Sequence, residues 1–139
     1  MFDRTVLFVD DDQNMLNAYK RAFFGESYQL LFAQSGTEAL ELMATNSVQV
    51  LTVDVCMPGM SGLELIQVTK EKFPHIVPIL ISGQPNLDST DVSNMVKSLH
   101  KGDIFRFVAK SASLQDATKD AIREAFDYIG ANRSLIHRV

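Results

Sequence analysis

Five short apolar runs alternate along this chain with longer amphipathic stretches, and four of the runs stop at a charged or hydroxyl residue. Thr5 to Val9 stops at Asp10-Asp11-Asp12. Gln13 to Phe24 then places Met15, Leu16, Tyr19, Ala22 and Phe23 on one face of a helix. Tyr28 to Ala33 reads as a second strand. Ser35-Gly36-Thr37-Glu38 has the form of a capping box and opens a helix to about Thr45. Val48 to Val53 is a third strand ended by Asp54. Ser61-Gly62-Leu63-Glu64 caps a helix to about Phe73, which Pro74 closes. Val77 to Ile81 is a fourth strand ended by Ser82. Asp88 to Lys101 is expected to be helical, with Val92, Met95, Val96 and Leu99 on one side and Gly102 as its stop. Ile104 to Ala109 is a fifth strand ended by Lys110. Ser113 to Ile129 is the last helix, and Gly130 to Val139 a tail that extends it or begins a linker.

Strands alternating with helices imply right-handed βαβ units and a parallel sheet. The first, third and fourth runs are apolar on both faces, as a sheet covered on both sides requires. The reading is an α/β, open doubly wound sheet of five strands with helices on both faces. Five strands are too few for an eight-fold barrel. The 139 residues suit one domain with a self-sufficient core. A net charge of −4 argues against non-specific nucleic-acid binding. One cysteine, Cys56, rules out an intrachain disulfide. No apolar run is long enough to span a bilayer, and the start of the chain has no signal-peptide pattern. A cytoplasmic domain with no membrane contact is the expectation.

In an open α/β sheet, ligands bind outside the carboxyl ends of the strands, where strand order reverses. Asp10, Asp11, Asp12, Asp54, Ser82 and Lys110 would all fall at that edge. Clustered carboxylates repel one another unless a cation sits between them, and oxygen ligands suit Mg²⁺. A lysine and a hydroxyl beside it match a tetrahedral dianion. A carboxylate can itself be a nucleophile and become an aspartyl-phosphate. Singly, each residue has a plainer use: Asp12 before Gln13 can be only a helix N-cap, Ser82-Gly83 only a turn, and Lys110 only a surface lysine. Asp54 is sharper, because it separates an apolar strand from the tight turn Met57-Pro58-Gly59.

Leu7-Phe8-Val9-Asp10-Asp11-Asp12, Val53 to Gly62, Ile79-Leu80-Ile81-Ser82-Gly83 and Phe107-Val108-Ala109-Lys110 together resemble the receiver domains of two-component response regulators, in order and spacing from about Thr5 to Ile129. The resemblance implies a flavodoxin-like strand order 2-1-3-4-5 and a receiver domain over residues 1–129. It implies Asp54 as phosphoacceptor and Mg²⁺ held by Asp11 directly, Asp10 through water, Asp54, and the backbone carbonyl of Cys56. Ser82 would hydrogen-bond the phosphoryl group, Lys110 would pair with it, and Phe107 would be the aromatic switch. The partners implied are a sensor histidine kinase or a histidine phosphotransfer protein, then an output domain or downstream protein. Apart from the resemblance, the last helix offers a small, Ala-rich stripe through which a homodimer could form. The partner-binding face would be the fourth predicted helix, the fifth strand and the last helix. Such a domain is not an enzyme beyond its own phosphoryl transfer and autodephosphorylation. The family usually has proline after the lysine, where this chain has Ser111, and often aspartate where it has Ser61. The run Gly102 to Phe107 is similar to receivers joined to cyclic-di-nucleotide phosphodiesterases.

Two other readings compete. Asp10-x-Asp12 resembles the nucleophile motif of haloacid-dehalogenase-like phosphatases, which would need a further acidic pair after the lysine; Asp116, Asp120 and Glu124 lie instead on the last helix. A phosphorylation-independent interaction module would need none of these acids to bind metal.

Overall fold

The computed structural model describes residues 4–83, 102 and 104–137, with side chains described as far as 132. In chain order the elements are β1 (Thr5–Val9), α1 (Gln13–Ala22), β2 (Gln29–Ala33), α2 (Gly36–Thr45), β3 (Val50–Asp54), α3 (Gly62–Lys72), β4 (Val77–Ser82), β5 (Arg106–Ala109) and α4 (Leu114–His137). The helix expected over 88–101 lies outside the described residues. All the strand pairs are parallel, and the sheet runs β2-β1-β3-β4-β5. The doubly wound order is therefore the expected one.

The starts of α1, α2 and α3 follow from local chemistry. Asp12, in extended backbone, accepts the Asn14 N–H at 2.9 Å and caps α1. Ser35 and Ser61 accept the N–H groups of Glu38 and Glu64 at 3.1 and 3.2 Å, which are the serine halves of the two expected boxes. β1 and β3 are buried along their whole length and β4 nearly so, whereas β2 and β5 at the edges are partly exposed. One core cluster joins β1, β3 and β4 to α1 and α4, around Phe8, Tyr19, Phe23, Ile79 and Ile122. The other joins the opposite face to α2 and α3, around Leu7, Leu51, Leu65, Ile66 and Leu80.

Several boundaries differ from expectation for identifiable reasons. α1 ends at Ala22, two residues early, because Phe23 is its C-cap and Gly25 adopts φ +89° just beyond. β3 pairs from Val50 rather than Val48 and includes Asp54. β5 begins at Arg106 rather than Ile104. Its approach is limited by Pro78 in β4, whose carbonyl accepts the Phe105 N–H at 2.9 Å and which has no N–H to offer on that side. The last helix runs to His137 and carries Gly130 in its interior, so the tail extends the helix. A side chain at Gly130 would meet open space, and an exposed glycine there weakens a helix by only about 1 kcal/mol, too little to end one held by packing upstream.

Candidate functional site

Strand order reverses between β1 and β3, because β1 is followed on one side by β2 and on the other by β3. Their last paired residues are Val9 and Val53, so Asp10 and Asp54 leave the two adjacent strands side by side. Carboxylate oxygens of Asp10, Asp11 and Asp54 all lie within 4.8 Å of one another. Asp10 and Asp54 are buried and Asp11 is exposed at the rim. Lys110 reaches in from the end of β5, with Nζ 3.5 Å from Asp10 Oδ2 and 3.3 Å from Asp54 Oδ2. Its backbone N–H donates to the Ser82 carbonyl at 2.7 Å, which fixes the ends of β4 and β5 together. Ser82 is buried at the end of β4. The Lys110–Ser111 peptide is trans.

Asp12 stands apart from the cluster, since its carboxylate caps α1. Asp10 Oδ1 accepts the Asp12 N–H at 2.9 Å, so the capping turn also orients Asp10. Cys56 is exposed as a free thiol, and its backbone N–H favours the ionised form of Asp54. Phe107 is half-buried and packs against the α2/α3-side core.

Two glycines matter more than the sequence suggests. A Cβ on Gly62 would overlap the Asp54 carbonyl oxygen, so only glycine lets the first turn of α3 close over the end of β3. A Cβ on Gly83 would lie 3.1 Å from Lys110 Cδ, so the lysine stem lies along the space Gly83 leaves. Gly83 and Lys110 are distant in sequence, and no local pattern links them.

Burial is the main influence on the acids. It raises the Asp10 carboxyl above the ordinary aspartate range; the Asp12 N–H and Lys110 oppose this, and the Asp54 charge adds to it. Asp54 is raised the same way, first by burial, against Lys110 and the Cys56 N–H, with Asp11 adding a little. For Lys110 burial pulls downward, but the attraction of Asp10 and Asp54 together outweighs it and the pKa ends above the usual lysine value. A carboxylate raised on folding costs stability at neutral pH, and that cost disappears as pH falls through its folded pKa. Asp10→Asn is therefore expected to stabilise the metal-free protein at pH 7, with the gain shrinking toward pH 4. Urea unfolding in a chelator at both pH values checks this; a gain independent of pH would contradict it.

An oxygen-only set of three carboxylates suits a hard, weakly dehydrating dication such as Mg²⁺. The neighbouring lysine leaves that cluster short of only part of its compensating charge. The description "response regulator receiver domain" matches residues 6–123. The chain belongs to this family. The hydrogenase transcriptional regulatory protein HoxA of Cupriavidus necator is 30% identical over 135 residues, covering 97% of this chain and 26% of HoxA. A cyclic di-GMP phosphodiesterase of Thermotoga maritima is 31% identical over 111 residues, covering 80% of this chain and 28% of that protein. Among solved structures, the response regulator TrrA of Thermotoga maritima, in complex with Mg²⁺-BeF, matches with a TM-score of 0.72 at 25% identity, covering 88% of this chain and 98% of TrrA. This receiver thus spans about a quarter of the length of those two curated relatives. Receiver domains are signalling domains of two-component systems.

Within this receiver, nothing favours the phosphatase reading. Asp12 is committed to its cap, Glu124 pairs with Arg106, and Asp120 pairs with Arg123 at 3.3 Å. No helix among the described residues is long and apolar enough to cross a membrane.

Proposed function

We propose that this receiver takes a phosphoryl group onto Asp54 from the phosphohistidine of a sensor histidine kinase or histidine phosphotransfer protein, and that the modified domain changes its binding to an output domain or downstream protein. The observation that carries this is the Asp10–Asp11–Asp54 cluster with Lys110 Nζ between its two buried members. Bound Mg²⁺, held by Asp10, Asp11, Asp54 and the Cys56 carbonyl, would neutralise charge during transfer.

The rest is done by the chain's own groups. An Asp54 carboxylate oxygen attacks phosphorus in line, an O–P bond forms, and the P–N bond to the donor imidazole breaks. Burial keeps bulk water from the nucleophile, and Lys110 holds its charge on the Asp54 side of the pocket. Ser82 donates to a phosphoryl oxygen, while Lys110 pairs with the new dianion. The bond between the Lys110 N–H and the Ser82 carbonyl makes these two groups move as a unit. Phe107, three residues before Lys110 on β5, is the side chain whose rotamer follows that movement. The exposed side of β5 and α4 is the described part of the partner face; the fourth predicted helix lies outside the described residues. Autodephosphorylation by water is the only turnover this reading gives the domain, and the cytoplasm is where it would act.

The test is an intact-mass assay of the full chain with acetyl phosphate. One phosphoryl adduct is expected, dependent on Mg²⁺ and removed by hydroxylamine, as an acyl phosphate must be. No adduct in the presence of Mg²⁺ would overturn the proposal and favour the phosphorylation-independent module.

A further inference from the structure

On the α1/α4 side of the sheet, beneath the acids, lies a polar atom that the chemistry above leaves unused. Tyr19 is 1% exposed, and its hydroxyl has no hydrogen-bond partner among the described residues. Its ring packs against Phe8 and Phe23 at 4.9 and 6.0 Å between centroids, contacts that a phenylalanine would make equally well. A buried hydroxyl without a partner is a net liability.

The fold says where this hydroxyl points. α1 starts at the acid-bearing edge, its N-cap being Asp12. Helical side chains lean toward the helix N-terminus, so the Tyr19 ring leans toward that edge. Phe8, which it covers, is two residues before Asp10 and shares its face of the sheet. The register partner of Phe8 is Thr52, two residues before Asp54. The ring therefore lies over Phe8, one pleat below Asp10, with the strand that carries Asp54 alongside. After burial, the charges of Asp10 and Asp54 are what raise the phenol's pKa, which fits this placement. Both acids have lone pairs to spare: Asp10 receives the Asp12 N–H and Lys110, and Asp54 receives the Cys56 N–H and Lys110.

We infer that Tyr19 is a positioning residue of the metal site: its hydroxyl donates to one enclosed water, which donates in turn to the Asp10 and Asp54 carboxylates from below. Three hydrogen bonds are what a buried water typically makes. Such a bridge draws two repelling carboxylates together before a cation arrives. The inference rests on the Mg²⁺ reading above and adds to it a residue outside the strand ends.

Tyr19→Phe keeps the ring contacts and removes only the hydroxyl. Two measurements on the full chain test the assignment: Mg²⁺ titration by calorimetry, and urea unfolding in a chelator. The expected result is Mg²⁺ affinity about tenfold weaker, the usual effect of losing a group that orients metal ligands, with a metal-free unfolding midpoint no higher than the wild type's. A variant that binds Mg²⁺ within twofold of wild type would overturn the inference, and a raised unfolding midpoint would identify the hydroxyl as merely unpartnered. If the wild type itself takes up no Mg²⁺, the metal reading fails and this one fails with it; if the wild type binds and the variant binds equally, only this one fails.

Discussion

Asp54→Asn is expected to carry no phosphoryl adduct after incubation with Mg²⁺ and acetyl phosphate, whereas Asp10→Asn and Asp11→Asn still label, at least tenfold more slowly than wild type on an order-of-magnitude scale. The three acids are not equivalent. The Asp10 side chain is 2% exposed, with one oxygen occupied by the Asp12 N–H and the other facing Lys110. That leaves no line of approach for a phosphodonor. Asp11 is exposed at the rim, where water would compete for any acyl phosphate it formed. Asp54, at 10%, is enclosed yet reachable, with Lys110 3.3 Å from its Oδ2 to receive the incoming charge. An asparagine amide cannot carry an acyl phosphate, so its substitution removes the product outright. On the proposed reading the other two substitutions remove cation ligands and leave the nucleophile in place. Labelling of Asp54→Asn at the wild-type level would move the phosphoacceptor to another acid and sink the assignment.

Lys110→Met is expected to destabilise the metal-free protein by about 2 kcal/mol at pH 7, the cost of breaking a buried pair reduced because the lysine side chain is 24% exposed. Methionine keeps an apolar stem along Gly83, so the loss is chiefly one of charge. The pH dependence has a definite sign. Asp10 and Asp54 are already raised by burial, and without Lys110 they rise further. The penalty is then full above their folded pKa values and vanishes below the ordinary carboxylate range, near pH 4. The gap between variant and wild type should widen from pH 4 to pH 8 in urea unfolding. Added Mg²⁺ should narrow it, because a dication can replace the missing positive charge and ligand binding adds stability in proportion to its occupancy. A deficit that is the same at every pH would mean that Lys110 acts through packing alone.

Much of this site is legible in the chain because strand ends are legible. Apolar runs buried on both faces must stop where polar chemistry begins, and in a doubly wound sheet those stops converge on one edge. Asp10, Asp54 and Lys110 needed no more than that to be grouped, and Ser82 falls at the same edge. What stayed hidden depends on contacts between distant segments. The glycine in Ser82-Gly83 reads as a turn residue, and only the approach of Lys110 shows the space it vacates. Gly62 reads as part of a capping box, and only the closing of α3 over Asp54 shows why no larger residue fits. Tyr19 reads as one member of an apolar stripe, since periodicity records where a side chain faces and not which of its atoms goes without a partner. Asp12 could be counted with the acids or as a cap by spacing alone, and the Asn14 N–H decides for the cap. The length of α4 was open for the opposite reason: Gly130 carries a stop signal of modest strength, which helix packing upstream overrides.

The contact at Gly62 has a mechanical meaning. The main chain of Asp54 is packed against the first turn of α3, so a shift of Asp54 would have to carry that helix with it. Lys110 is tethered differently, by a flexible stem lying along Gly83, by a backbone bond to Ser82 and by its ion pairs with Asp10 and Asp54. The pocket therefore has a rigid wall and a compliant one. On the proposed phosphorylation of Asp54, new charge on the rigid wall would do its work by displacing the compliant one, which makes the β4–β5 edge the place where a covalent event would become movement.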